Sequence, residues 1–361
     1  MSLHRNLGIG GKVMNGIRIQ PSDFKNFGDA DRSTFCLVTT PEYRDVFTFA
    51  EDSKYVDSRV LTIESGDDFA QLLEASIPES AHILVILPSI YFKSPSREVL
   101  GNKRKLGVLA CYSTPTSVDA IAHFIRIAAR TDPALQDRMS EEFFEKGEAA
   151  ERIRFIDPEY GTEAEFEHLE DNLSWHEQTG FLGWGQQQLF PSGEISVLPV
   201  SVFGQNINNQ FQLSGKLAFK GRPVLHSGTP SFLPEDQERI YQDLATMESH
   251  AVIATLKDGV IMDLEATDPV CEPAKRMLQF MCRVDSRYSS LLEIGFGINT
   301  KLELFPGNSA MNEVYGHECG AVHWGLGLIP YTQYHLDIIC PGTVVEAKNG
   351  KHIIGGAGVR V

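Results

Sequence analysis

"LGVLACYSTPTSVDAIAHFIRIAAR", residues 106–130, decides the fold. Its first half is a short apolar run. Its second half repeats Val118, Ile121, Ala122, Ile125, Ala128 and Ala129 at helical spacing along one side, behind Ser117 as a cap and Asp119 at the positive end of the dipole. A strand followed by an amphipathic helix is the repeating half of a βαβ unit.

The same alternation runs back through the first third of the chain. "FCLVTT" (35–40) precedes "PEYRDVFTFAEDS" (41–53), "RVLTIES" (59–65) precedes "DDFAQLLEAS" (67–76), and "HILVILPSIYF" spans 82–92. Strands alternating with helices predict a parallel sheet. From residue 137 the composition turns acidic, "DRMSEEFFEKGEAAERIRFIDPEYGTEAEFEHLEDN", which reads as a solvated helical connector. Glu165-x-x-His168 within it looks like half a metal motif, but its acidic setting reads as structural.

After Gly180 the texture becomes turn-rich strands: "GEISVLPVSVFG" (193–204), "FQLSGKLAFKGRPVLH" (211–226), and a hairpin, "HAVIATLKDGVIMDLEAT" (250–267), turning at Asp258-Gly259. Residues 234–249 and 269–284 read as helices, the second with Met277, Phe280 and Met281 facing the core. The expected architecture is α/β with two domains. Residues 1–174 form an N-terminal βαβ-type domain with the acidic connector, and residues 175–361 form a mixed α/β metal-site domain.

The chain has 361 residues, 42% hydrophobic, enough for a large core. Lys+Arg 32 against Asp+Glu 48 gives a formal charge of −16, which argues against nucleic acid and anionic membrane surfaces as partners. No continuous apolar segment approaches the roughly 18 residues of a membrane span, and no signal-peptide h-region is visible. The expected location is the cytoplasm. Six scattered cysteines without CxxC pairs read as reduced thiols.

Two glycine-rich stretches are rejected as nucleotide sites. "GIGGK" (8–12) lacks the spacing of a phosphate-wrapping loop, and Gly295 and Gly297 in "EIGFGIN" lack the third glycine of a dinucleotide fingerprint and read as a tight turn.

"GAVHWGLGLIPYTQYHLDI" (320–338) is the chemically informative run. Strand periodicity puts His335 and Asp337 on one face and Leu336 and Ile338 on the other, with His323 on a neighbouring antiparallel strand. Glu194 opens an apolar strand after a Pro-Ser-Gly turn, and Glu293 sits within another, "LLEIGFGIN". A carboxylate in such a setting needs a cation or a hydrogen-bond network to offset its lost hydration. A polar sheet end explains either glutamate equally well.

The ordered motifs "PSGE", "LEIGFGIN", "GAVHWGLG" and "YHLDI" resemble the thermophilic metallo-aminopeptidase family typified by aminopeptidases T and S. The related mononuclear-iron 2,5-dihydroxypyridine 5,6-dioxygenase is similar as well. The resemblance spans roughly residues 185–340 and implies a thermophilic metalloprotease-like fold and a homodimer. It implies Glu194, Glu293, His323, His335 and Asp337 as ligands of two divalent ions (Zn, Co or Mn), with Glu293 also needed for turnover and Tyr331 stabilising the transition state. Such a site activates a water between the cations and hydrolyses the amino-terminal bond of a peptide.

Departures from the family pattern, "YGH" at 315–317 and Thr300 after Asn299, imply a remodelled pocket. Two alternatives follow. His323, His335 and Asp337 alone form the two-histidine, one-carboxylate set of an Fe(II) ring-cleaving dioxygenase. A non-catalytic relative, with no metal, would serve as a binding or assembly partner in a peptide natural-product pathway.

Overall fold

A computed structural model describes residues 16–204, 211–228 and 233–356; "GIGGK" lies outside the described residues. The opening stretch folds as its pattern predicts. Arg104–Leu109 is a strand, and Val118–Arg130 is a helix whose Ala120 N–H donates to the Ser117 hydroxyl at 3.1 Å. The strand joins a five-stranded parallel sheet in the order Gln187–Phe190, Arg104–Leu109, Ala81–Ile86, Thr34–Thr39, Asp57–Thr62. The central strands are buried on both faces, as parallel strands covered on each side must be. The architecture is mixed α/β.

Beyond this sheet the chain forms two antiparallel ones. The six-stranded sheet runs Arg222–Ser227, Tyr334–Cys340, Ala321–Leu326, Leu291–Gly297, Glu194–Pro199, Leu173–Gln178. One of its faces packs on the seven-stranded sheet through Phe155, Phe166, Phe296 and Trp324, with the Phe155 and Trp324 rings 4.8 Å apart edge to face. The seven-stranded sheet includes the expected hairpin, Val252–Lys257 with Val260–Ala266, where Asp258 and Gly259 both have positive φ.

Several local expectations change. The acidic stretch is helical only through Glu148; Ile153–Asp157 and Thr162–Phe166 are paired strands. The reason is a period of two: Ala164 and Phe166 point inward, while Glu163 and Glu165 meet Arg154 and Arg152 at 3.0 and 3.2 Å. His168 is buried, and its Nε2 donates to the Gly147 carbonyl at 2.8 Å. "PEYRDVFTF" is a short 3-10 helix, Pro41–Val46, and then a strand, Phe47–Phe49, paired with Ile17–Ile19. Phe280 is 48% exposed, beside the buried stripe of Met277, Leu278 and Met281. The parallel sheet also takes back Gln187–Phe190 as an edge strand, so the chain re-enters it after leaving for the antiparallel sheets. All six cysteines are free thiols. No described helix is long and apolar enough to cross a membrane.

Candidate metal centre

The second face of the six-stranded sheet carries the site. Alternation turns Trp324, Val322, Leu336 and Ile338 toward the core and leaves His323, His335 and Asp337 on the other face. Antiparallel register then sets the donors side by side. His226 pairs with His335, Asp337 with Gly325, Gly325 with Glu293, His323 with Gly295, and Glu194 with Gly297.

Each of the three glycines admits a neighbour where a side chain would block it. The His323 ring lies directly over Gly295, and Gly325 leaves room for Glu293, His335 and Asp337. Gly297 lets the Val314–Tyr315 backbone cross directly above it. Gly295 and Gly297 are therefore strand residues chosen for close approach, and the tight turn expected there is absent.

That crossing segment, the 3-10 helix Ala310–Val314, lowers Glu313 onto the sheet face. Three groups of side chains converge, with donor atoms all within 4.8 Å of one another in each: Glu194, Glu293, Glu313 and His323; His226, Glu313 and Asp337; Glu293, His335 and Asp337. All five residues expected as ligands lie in this cluster. His226 and Glu313 are additions. Tyr331 is half-buried in the turn after Ile329-Pro330, where its N–H donates to the Leu328 carbonyl at 2.7 Å; among the described residues no ion pair or hydrogen bond links its hydroxyl to the cluster.

The ring orientations suit ligation. Nδ1 of His335 donates to the Gly327 carbonyl at 2.7 Å, leaving Nε2 aimed at Asp337 (3.0 Å) and Glu293 (3.3 Å). Nδ1 of His226 shares a hydrogen bond of 2.8 Å with the Ser113 hydroxyl, and Nε2 lies 3.4 Å from both Glu313 and Asp337. Nε2 of His323 is 3.4 Å from Glu194 and 3.8 Å from Glu313.

Both Asp337 oxygens, Nε2 of His226 and both ring nitrogens of His323 are buried without a hydrogen-bond partner. Buried polar atoms are normally satisfied, so a concentration of orphans on inward-facing donors fits a cation.

The electrostatics agree. Burial pushes the His226 and His323 imidazoles down, but Asp337 and Glu313 around His226, and Glu194, Asp337 and Glu313 around His323, outweigh it and hold each at about 9. Burial likewise disfavours charge on His335, yet Asp337 and Glu293 hold it well above its usual value. Burial would raise Asp337, but His335, His226 and His323 drive it far below the carboxylate range. Glu194 is raised to about 7, first by burial and then by the Glu313 carboxylate. Four carboxylates against three imidazoles leave this pocket strongly anionic when the imidazoles are neutral, and two divalent cations would balance it.

Ser192, two residues before Glu194, is held from three directions. Its hydroxyl accepts from Asn26 Nδ2 at 2.8 Å, and its carbonyl accepts from Gln136 Nε2 (2.8 Å) and Asn299 Nδ2 (2.7 Å). The turn that aims Glu194 is thus fixed by residues outside the six-stranded sheet.

The architecture has counterparts among solved structures. The chain is similar to 2,5-dihydroxypyridine dioxygenase from Pseudomonas putida KT2440, with a TM-score of 0.54 and 12% identity over 93% of this chain and 95% of that one. It also aligns with wild-type AmpT, an aminopeptidase T, from Thermus thermophilus, at a TM-score of 0.42 and 10% identity over 92% and 97%. The likeness is one of fold. The relationship expected from the sequence motifs holds at that level for the dioxygenase. The sequence matches no protein-family model and no curated protein.

Proposed function

We propose that this chain is a metal-dependent hydrolase of the aminopeptidase type, with two divalent cations held by the seven clustered side chains. One observation carries the reading: Glu293, Glu313 and Asp337 each belong to two of the three converging groups. Shared carboxylates are what a pair of cations roughly 3.5 to 4 Å apart requires. His323 with Glu194 would serve one position and His335 with Asp337 the other, with His226 closing the second through Asp337.

When bound, such ions supply Lewis acidity to a carbonyl and an activated water. The chain's own residues orient that chemistry. Gly327 and Ser113 fix the rings of His335 and His226 so that each Nε2 faces the carboxylates. The net charge of −16 over the chain favours the approach of a cationic amino terminus. Tyr331, on the turn carrying Ile329 and Pro330, remains the candidate transition-state group.

A second reading has its own observation. Nε2 of His226 and of His335 approach Oδ2 of Asp337 at 3.4 and 3.0 Å, so His226 stands nearer than the expected His323 to completing the two-histidine, one-carboxylate set of an Fe(II) oxygenase, although the two imidazoles fall in separate converging groups. The fold shared with a ring-cleaving dioxygenase accords with it.

Elemental analysis of protein purified without chelators, with assays on aminoacyl anilides, tests both. About two zinc, cobalt or manganese ions per chain and anilide hydrolysis support the hydrolase. About one iron and oxygen uptake would replace it with the oxygenase. No metal after supplementation would remove both and leave a binding protein.

A further inference from the structure

We propose that a cavity of about 600 Å³ beside His226 binds an uncharged aromatic or apolar group of the substrate. This deepens the metal-centre reading and rests on it for the identity of the reacting site. The cavity itself stands on separate observations.

The first is position. In the parallel sheet the chain goes from Thr34–Thr39 outward to Asp57–Thr62, then reverses to Ala81–Ile86 on the other side. Loops leaving the carboxyl ends of strands diverge at such a reversal and open a crevice where ligands bind. The two loops of that reversal are tied together, the Ser89 hydroxyl donating to Glu42 at 2.6 Å, and the cavity opens on the other side of the loop after Ala81–Ile86. The loop from Ala81–Ile86 and the one leaving Arg104–Leu109 supply one wall of the cavity.

The second is continuity with the cluster. Ser113 lines the cavity while its hydroxyl touches Nδ1 of His226. Its carbonyl accepts from the Ser227 N–H and from Gln237 Nε2, each at 2.8 Å, so the wall is tied to the very strand that carries His226. A group seated here is one residue away from a candidate ligand.

The third is lining. Tyr91 and Tyr112 stand edge to face at 5.2 Å, and Pro115, Pro234, Ile329 and Pro330 add apolar surface. None of the described residues lining the cavity carries a charge, in a chain with a net charge of −16. A charged group entering it would shed water without gaining a partner, whereas an aromatic ring gains both burial and ring contacts. The volume falls within the range of small-molecule sites.

Isothermal titration of zinc-loaded, full-length protein with L-phenylalaninamide, L-alaninamide and L-lysinamide tests the proposal. Phenylalaninamide is expected to bind at least tenfold more tightly than lysinamide. Ser89 and Tyr91 are both exposed, so Ser89→Trp, which fills the mouth, and Tyr91→Ala, which removes a wall, spare the fold. Ser89→Trp should abolish the preference and Tyr91→Ala weaken phenylalaninamide binding several-fold, with zinc content unchanged in both.

Equal affinities, no binding by any of the three amides, or indifference to both substitutions would overturn the assignment. The same titration without metal separates the two readings. A preference that persists in a chain that takes up no metal supports the cavity while the metal centre falls; bound zinc without the preference overturns the cavity alone.

Discussion

Gly295 and His323 are register partners on adjacent strands, and the imidazole fills the space a side chain at 295 would need: an added Cβ would lie 1.8 Å from Nε2. A Gly295→Ala substitution must therefore displace the ring. Overpacking of this kind costs ~1–3 kcal/mol. The expected outcome is a folded protein, judged by circular dichroism, whose affinity for zinc falls at least tenfold; unchanged affinity would mean that His323 is no ligand.

Glu313 belongs to two of the converging groups and reaches the sheet from outside it. Glu313→Gln keeps its size and removes its charge. Elemental analysis should show metal content falling from about two ions per chain toward one, with hydrolysis lost. Retention of two ions would leave Glu313 a bystander.

Stability should depend on pH with a definite sign. His226 and His323 stand at about 9, against 6.5 for an ordinary imidazole, so the folded state holds their protons more tightly. Their contribution is complete below pH 6.5 and disappears as pH rises through about 9. Glu194, raised from 4.5 to about 7, acts in the same direction over a lower range. Asp337 acts oppositely, but only below 3.8. Chelator-treated protein should therefore melt at progressively lower temperature from pH 5 to pH 9.5 in calorimetry, while zinc affinity climbs over the same interval as protons leave the ligands. A flat melting profile would contradict this.

The hydrogen bonds at Ser192 should be felt in stability. Gln136→Ala leaves the Ser192 carbonyl with Asn299 as its remaining side-chain donor and removes the acceptor that the Gly180 N–H uses at 3.1 Å. Loss of buried partners costs ~1–3 kcal/mol. Chemical denaturation should report a loss of that size, and no change would mean that water replaces the amide.

Most strands and the face occupied by the donors could be read from the chain because their cause is local. Period two fixes where His335 and Asp337 point, and a carboxylate in an apolar strand marks Glu194 and Glu293 as unusual. His226 obeys the same alternation in "RPVLHS" but stands alone on its strand, so nothing local separates it from an ordinary buried histidine. Glu313 sits in one turn of 3-10 helix without periodicity, and its approach depends on Gly297 admitting the backbone of a distant loop. Gly295 and Gly297 look like turn residues for a related reason: their purpose lies in what crosses them, which a linear pattern does not display. The acidic stretch misled because abundant glutamate favours a helix, whereas the alternation within "TEAEF" and its arginine partners make a strand.

The strand Tyr334–Cys340 lies between Arg222–Ser227 and Ala321–Leu326, both of which are made earlier in translation. A nascent chain made only as far as Leu326 lacks His335 and Asp337 and the strand that joins Arg222–Ser227 to the rest of the sheet, so the proposed cation sites cannot be complete until residue 337 has been made.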